Sequence, residues 1–149
     1  MYYAGAVPVA LDPEQLRTVS RVTLGHYDET AEQFWQGTGG HDVSQNVSAL
    51  LSRLEGPGPF ALLDFGCGPG RDLHTFRALG HEAVGLDGAA RFVEMARHHS
   101  GCEVWQQDFL ALDLPPARFD GVFANASLFH VPGQELPRVL RELHATLRL

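Results

Sequence analysis

Gly66, Gly68 and Gly70 alternate directly after a short apolar run and directly before a helix-like pattern, and few folds accommodate that arrangement. The run, Phe60 to Leu63, closes on the carboxylate of Asp64. An apolar stretch of that length, ended by Gly and Pro, reads as a buried parallel strand. Glycines at these positions let the backbone turn sharply and let a ligand lie against bare main chain. Amide nitrogens at the start of the next helix are then expected to face an electron-rich or anionic group. The whole stretch reads as a nucleotide-type site at the carboxyl edge of a parallel sheet.

Spacing narrows the ligand. A dinucleotide fingerprint is G-x-G-x-x-G, and Arg71 stands where its third glycine belongs. The pattern present is acidic-x-Gly-x-Gly-x-Gly, which resembles motif I of the class I S-adenosylmethionine-dependent methyltransferases.

The rest of the chain alternates as a doubly wound sheet requires. Asp12-Pro13-Glu14 reads as a helix start running to about Val22, and Asp28 as the start of a second helix, Glu29 to Gln36, ended by the glycines that follow. Asp42-x-x-Gln45 reads as a capping box for a third, Val43 to Leu54. After Gly56-Pro57-Gly58-Pro59 the spacing predicts strands at Phe60–Phe65, Glu82–Leu86, Glu103–Gln106 and Phe119–Ala124. Helices are predicted at Arg71–Leu79, Ala90–His98 and Gln134–Leu147. Strands separated by helices of this length imply right-handed crossovers and a parallel sheet covered on both faces. The predicted fold class is therefore α/β, a doubly wound, Rossmann-like parallel sheet with an N-terminal helical lid. Residues 1–149 read as one domain, with 1–55 as lid and 56–149 as a partial core.

Composition excludes several classes. Of the 149 residues, 44% are hydrophobic, enough for one domain with a core of its own. The net charge of −7 and the lack of a basic cluster argue against a nucleic-acid surface. No apolar run reaches membrane-spanning length and no basic start precedes one, so neither a membrane nor a secretory setting is expected. Cys67 and Cys102 are read as reduced thiols in a cytoplasmic protein. None of the eight histidines has metal-ligand spacing, so no metal is expected, and His98-His99 are read as closing a helix.

Ligands of a doubly wound sheet bind outside the carboxyl ends of its strands, and polar groups gather there. Asp64 and the Gly66, Cys67, Gly68, Gly70 loop follow the first strand; Asp87 and Gly88 follow the second. Asp108-Phe109 follows the third, and Asn125, Ser127 and His130 follow the fourth. One carboxylate at Asp87 can accept from both hydroxyls of a ribose diol, and one at Asp108 from an exocyclic amine beside an aromatic wall.

The methyltransferase resemblance extends over these positions. Gly85-Leu86-Asp87 with Phe92 and Met95-Ala96-Arg97 is similar to the family's second motif, which implies that Asp87 holds the ribose. Gln107-Asp108-Phe109 is similar to the third, which implies that Asp108 meets the adenine amine. The segment Phe119 to Pro132 resembles the fourth-strand region of the small-molecule enzymes, and Tyr27, Ala31 and Phe34 resemble the lid helix that precedes motif I. The match runs over roughly residues 25 to 147. It implies a cofactor, S-adenosyl-L-methionine, with S-adenosyl-L-homocysteine as product and a small-molecule acceptor as partner. Cofactor contacts are implied at Asp64, Gly66, Cys67, Gly68, Gly70, Asp87, Gly88, Phe92, Asp108, Phe109 and Asn125. Tyr27, Phe34 and Ser127 are implied at the lid and acceptor side, and His130 as a general base.

Several of these residues carry a structural alternative. Asp87 can cap the next helix, Asp108 can be solvated loop, and His130 can orient or pack. Tyr27, Phe34 and Trp35 can be core of the helical cap, and Asn125 can hold its own loop. Two departures from the family pattern stand out. Ala89 replaces the usual capping serine. The chain also stops at Leu149, where the fifth of the family's seven strands is expected, leaving an apolar edge. The expectation is that the 149 residues are a truncated product or that a second copy covers the edge in a homodimer. A non-catalytic, cofactor-binding or oligomer-forming remnant of such an enzyme is the alternative function, and a nicotinamide-dependent oxidoreductase is a further one, opposed by Arg71.

Overall fold

The computed structural model describes residues 9–149. Four parallel strands, β1 (Ala61–Phe65), β2 (Glu82–Asp87), β3 (Glu103–Gln106) and β4 (Gly121–Phe123), form one sheet in the order β3-β2-β1-β4. Helices α3 (Arg71–Ala78) and α4 (Ala90–Ser100) make the first two crossovers, and α5 (Leu136–Ala145) follows β4. Because β1 sits between β2 and β4, the strand order reverses beside it, which is where doubly wound sheets open a crevice.

Side-chain alternation along the strands builds two cores. Leu62 and Ala83 point to one face, with Leu73, Phe76, Val93 and Phe123. Ala61, Leu63, Phe65, Val84 and Leu86 point to the other, with Val139 and Leu143 of α5. All five residues of β1 are buried, as its continuous apolar run requires. The expectation of a sheet covered on both faces therefore holds.

The N-terminal region differs from its prediction. Instead of two helices, one helix of 26 residues, α1 (Pro13–Thr38), runs unbroken through Gly25. Its start is as read: Asp12 caps it in a capping box with Gln15, and Pro13 opens it. Asp28, read as the cap of a second helix, instead accepts from the Arg91 N–H at 2.8 Å and so caps α4 from outside. The weak cap at Ala89 is thus supplemented by two carboxylates, the remote Asp28 and the neighbouring Asp87, which accepts from the Ala89 N–H at 3.0 Å. The third helix is shorter than predicted, α2 (Ser44–Leu51), and no capping box forms; Asp42 accepts from Ser44 N–H and leaves Val43 at the cap position. Val47, Leu50, Leu51 and Leu54 still pack on the sheet.

β4 and α5 are also shorter than their predicted spans, and Leu128–His130 forms a separate short 3-10 turn between them. β4 lies at the sheet's edge. The final residues start alongside it: Phe119 and Leu147 form an isolated parallel bridge, and the Arg148 N–H donates to the Phe119 carbonyl at 2.8 Å. Among the described residues no helix is long and apolar enough to cross a membrane.

Candidate cofactor and acceptor site

Gly70 closes the glycine loop in left-handed backbone, φ +95°, and a Cβ there would stand 2.7 Å from the Ala96 Cα. Glycine is therefore required twice at this position, for the turn and for the approach of α3 to α4. The loop's amides are mostly spent inside the protein. Gly66 N–H and Cys67 N–H both donate to the Leu86 carbonyl, Gly70 N–H donates to the Cys67 carbonyl, and Gly68 N–H donates to Asp87 Oδ2 at 3.0 Å. These loop amides are therefore not free to face an anion. The loop offers bare Cα surface and nearby carboxylates, which suits a cationic ligand better than a pyrophosphate.

Three acids surround the loop in buried positions. Asp64 is 2% exposed and Asp72 and Asp87 are each 8% exposed. Asp72 pairs with Arg71, 2.9 Å apart. Asp64 Oδ2 has no hydrogen-bond partner, an orphaned acceptor beneath the loop. Burial, then the charges of Asp72 and Asp87, push the Asp64 carboxyl well above the usual carboxylate range, against a smaller pull from Arg71. Burial also raises Asp87, although the Ala89, Gly68 and Gly88 amides resist it. Burial raises the Cys67 thiol too, so it is a packed, unreactive group; Cys67 and Cys102 are both free.

Above the loop lies an open cavity of about 300 Å³. Gly66, Gly68, Asp87, Gly88, Phe92, Asp108, Phe109, Tyr27, Phe34, Ser127 and His130 all contribute to its wall. The sequence named each of these, and the fold brings them together at the ends of β1 to β4. Asp64, Cys67 and Gly70 lie beneath or beside the loop and are not on the wall. Asn125 is not there either: its Oδ1 accepts from Asn46 Nδ2 at 3.0 Å on the surface. The backbone explains this, because Ala126 is left-handed at φ +55°; Asn125 faces outward, while Ser127 turns inward to donate to the Phe65 carbonyl at 2.7 Å.

Helix α1 roofs the cavity and is tied down along its length. The Ser20 hydroxyl donates to Asp108 Oδ2, which also fixes that acid, and Asp108 Oδ1 accepts from Leu110 N–H at 2.9 Å. The Tyr27 hydroxyl stands 2.9 Å from His130 Nε2. Arg71 donates to the Thr38 carbonyl at the helix's far end, 3.0 Å away. Tyr27 is raised by burial and then by the charge of Asp87, whereas burial lowers His130. Both groups are thus neutral near pH 7, and the tautomer of the imidazole sets which of the two donates in their hydrogen bond. Sequence reasoning missed Val19, Ser20, Thr23, Leu24, Thr38 and Phe129, which also line the cavity. Most lie on the first half of α1; only the unbroken helical period, i, i+4 from Ser20 to Leu24, could have flagged them. Among the described residues no cluster of three or more His, Cys, Asp or Glu is placed to hold a metal.

The match to known proteins agrees with this geometry. Residues 62–149, more than half the chain, fit the methyltransferase domain family. The chain belongs to that family. This methyltransferase domain is 30% identical over 105 residues to malonyl-[acyl-carrier protein] O-methyltransferase of Pseudescherichia vulneris, covering 70% of the chain and 41% of that protein. It is 36% identical over 98 residues to the ubiquinone biosynthesis O-methyltransferase of Cereibacter sphaeroides, covering 60% and 40% respectively. The crystal structure of 1,6-didemethyltoxoflavin-N1-methyltransferase from Burkholderia thailandensis, with bound 1,6-didemethyltoxoflavin and S-adenosylhomocysteine, superposes with a TM-score of 0.70. That pair shares 26% identity over 96% of this chain and 62% of the other. The chain spans between 39% and 58% of the length of the curated relatives it matches.

Proposed function

We propose that this chain is the cofactor-binding part of an S-adenosylmethionine-dependent methyltransferase acting on a small molecule, with residues 1–55 as lid and 56–149 as partial core. The observation that carries the reading is the cavity above a glycine loop whose amides are internally satisfied, with the carboxylates of Asp87 and Asp108 on its wall. Such a site fits a ligand carrying an ammonium and a sulfonium, and the orphaned Asp64 oxygen beneath the loop is a further polar atom without a partner inside the protein. When bound, S-adenosylmethionine supplies a methyl group already activated by cationic sulfur and is left as S-adenosylhomocysteine.

The protein's tasks are then alignment and exclusion of water. Asp87 keeps lone pairs for a ribose diol beyond those given to Gly68 and Ala89. Asp108, fixed by Ser20 and Leu110, presents its carboxylate to an exocyclic amine, with Phe92 and Phe109 as walls. Helix α1 covers the reactants, and neutral His130 takes the proton of a protonated acceptor, oriented by Tyr27. A second copy covering the outer edge of β4 belongs to the same proposal, as does a cytoplasmic setting for the free thiols.

Ultraviolet cross-linking with methyl-labelled S-adenosylmethionine tests the cofactor. Labelling suppressed by S-adenosylhomocysteine but not by reduced nicotinamide dinucleotide is expected; the opposite pattern sinks the reading. Replacing His130 with Ala is expected to lower turnover at unchanged cofactor affinity, and lost affinity at unchanged turnover would remove it from the role of base.

A further inference from the structure

The cofactor assignment leaves one side of the cavity unused, and its make-up restricts what can sit there. Phe129 lines the cavity and is 71% exposed, so its ring is open to a bound molecule. Its ring lies 4.1 Å from that of His130, which in turn lies 5.3 Å from that of Tyr27, so three aromatic rings adjoin one another from the lid to the cavity mouth. Val19, 37% exposed on α1, adds an apolar group to the same wall, as do Leu24 and Pro132. The formal charges on the wall, among the described residues, are the carboxylates of Asp87 and Asp108. The chain contains no lysine, and none of its arginines is among the described residues that line the cavity.

We propose that the methyl acceptor is an uncharged or cationic molecule with a planar apolar body, seated on Phe129 and Val19, whose nucleophilic hydroxyl or amine faces the Tyr27–His130 pair. Phe129 is its specificity-determining residue. The inference rests on the methyltransferase reading and narrows it. A flat ring gains an offset or edge-to-face contact with Phe129 and removes that exposed surface from water. An anionic acceptor meets the field of two carboxylates with no cation on the wall to offset it. In the transfer the acceptor's lone pair forms the bond to the methyl carbon as the carbon–sulfur bond breaks onto sulfur. The acceptor's proton passes to the Tyr27–His130 pair and ends on Nε2, so charge and atoms balance.

The test is a calorimetric titration of the protein with 4-propylphenol, tyramine and 3-(4-hydroxyphenyl)propionate. These share a phenol and a similar reach but carry no charge, a positive charge and a negative charge. Each is run with and without saturating S-adenosylhomocysteine. The expected result is that the first two bind at least about tenfold more tightly than the carboxylate, and that Phe129→Ala removes about tenfold from their affinity. Phe129→Leu, which keeps apolar bulk but no ring face, is expected to recover only part of the loss. Equal or tighter binding of the carboxylate, phenols that do not bind, or an unaffected Phe129→Ala each overturns the proposal. S-adenosylhomocysteine is titrated separately. Its failure to bind counts against the cofactor reading, while the phenol series without it still decides the acceptor class.

Discussion

Replacing Gly70 with Ala gives a direct test of how the glycine loop is built. Its backbone is left-handed, φ +95°, where a Cβ costs about 1–2 kcal/mol. The new Cβ would also stand 2.7 Å from the Ala96 Cα and 3.0 Å from its Cβ and carbonyl oxygen. Two of those are backbone atoms, so no rotamer change relieves the clash; α3 and α4 must separate, at a further cost of about 1–3 kcal/mol for overpacking. The sum, about 2–5 kcal/mol, lowers the melting temperature by roughly 5–15 °C for a domain of this size. Gly80 is the internal control, because it has the same kind of backbone, φ +88°, but nothing within 4 Å of its missing Cβ. Gly80→Ala is expected to show only the conformational cost, about 1–2 kcal/mol. Thermal unfolding followed by circular dichroism compares the two. If Gly70→Ala melts within about 2 °C of Gly80→Ala, a difference under about 1 kcal/mol, the close packing of α3 on α4 through the loop is wrong.

Two further outcomes follow from buried or remote carboxylates. Asp64 is raised well above the usual carboxylate range by burial and by Asp72 and Asp87, so the folded state keeps its proton at pH values where the unfolded chain has released it. Its contribution to stability is therefore full below the unfolded value and is lost as pH rises toward the raised one. Asp64→Asn cannot ionise, so its stability relative to the parent is expected to increase from acid to neutral pH in urea titrations; a constant difference contradicts the burial argument. Asp28→Ala removes the outside cap of α4 at Arg91 and is expected to cost about 1 kcal/mol, with faster amide exchange in the first turn of α4 as its signature.

The core of the fold was legible because its signals are local. β3 has its predicted bounds, and the alternation of Ala61, Leu63 and Phe65 against Leu62 sorts β1 between two cores without reference to anything distant. The lid was misread for the opposite reason. Gly25 and Asp28 carry the residue types of a helix break, but Asp28's partner is the Arg91 amide, 63 residues away, and tertiary contact overrides the local hint. Asn125 failed similarly: strand-end position suggested the cavity, yet the left-handed turn at Ala126 swings it outward to Asn46. Asp87 was read with two alternatives, and its structure keeps both open, since it caps Ala89 while facing the cavity. Ser20 and Phe129 had no sequence signal as strong as a glycine loop, because a serine and an aromatic on helical turns are ordinary until the fold places them.

Calorimetric titration with S-adenosylmethionine, on the parent chain and on Asp87→Asn, tests the central claim most directly. The account predicts micromolar binding by the parent and at least about tenfold weaker binding by the variant, the loss of one charge-assisted hydrogen bond of about 1.5–3 kcal/mol. A folded protein that gives no heat with S-adenosylmethionine, or an Asp87→Asn variant that binds as the parent does, would contradict it.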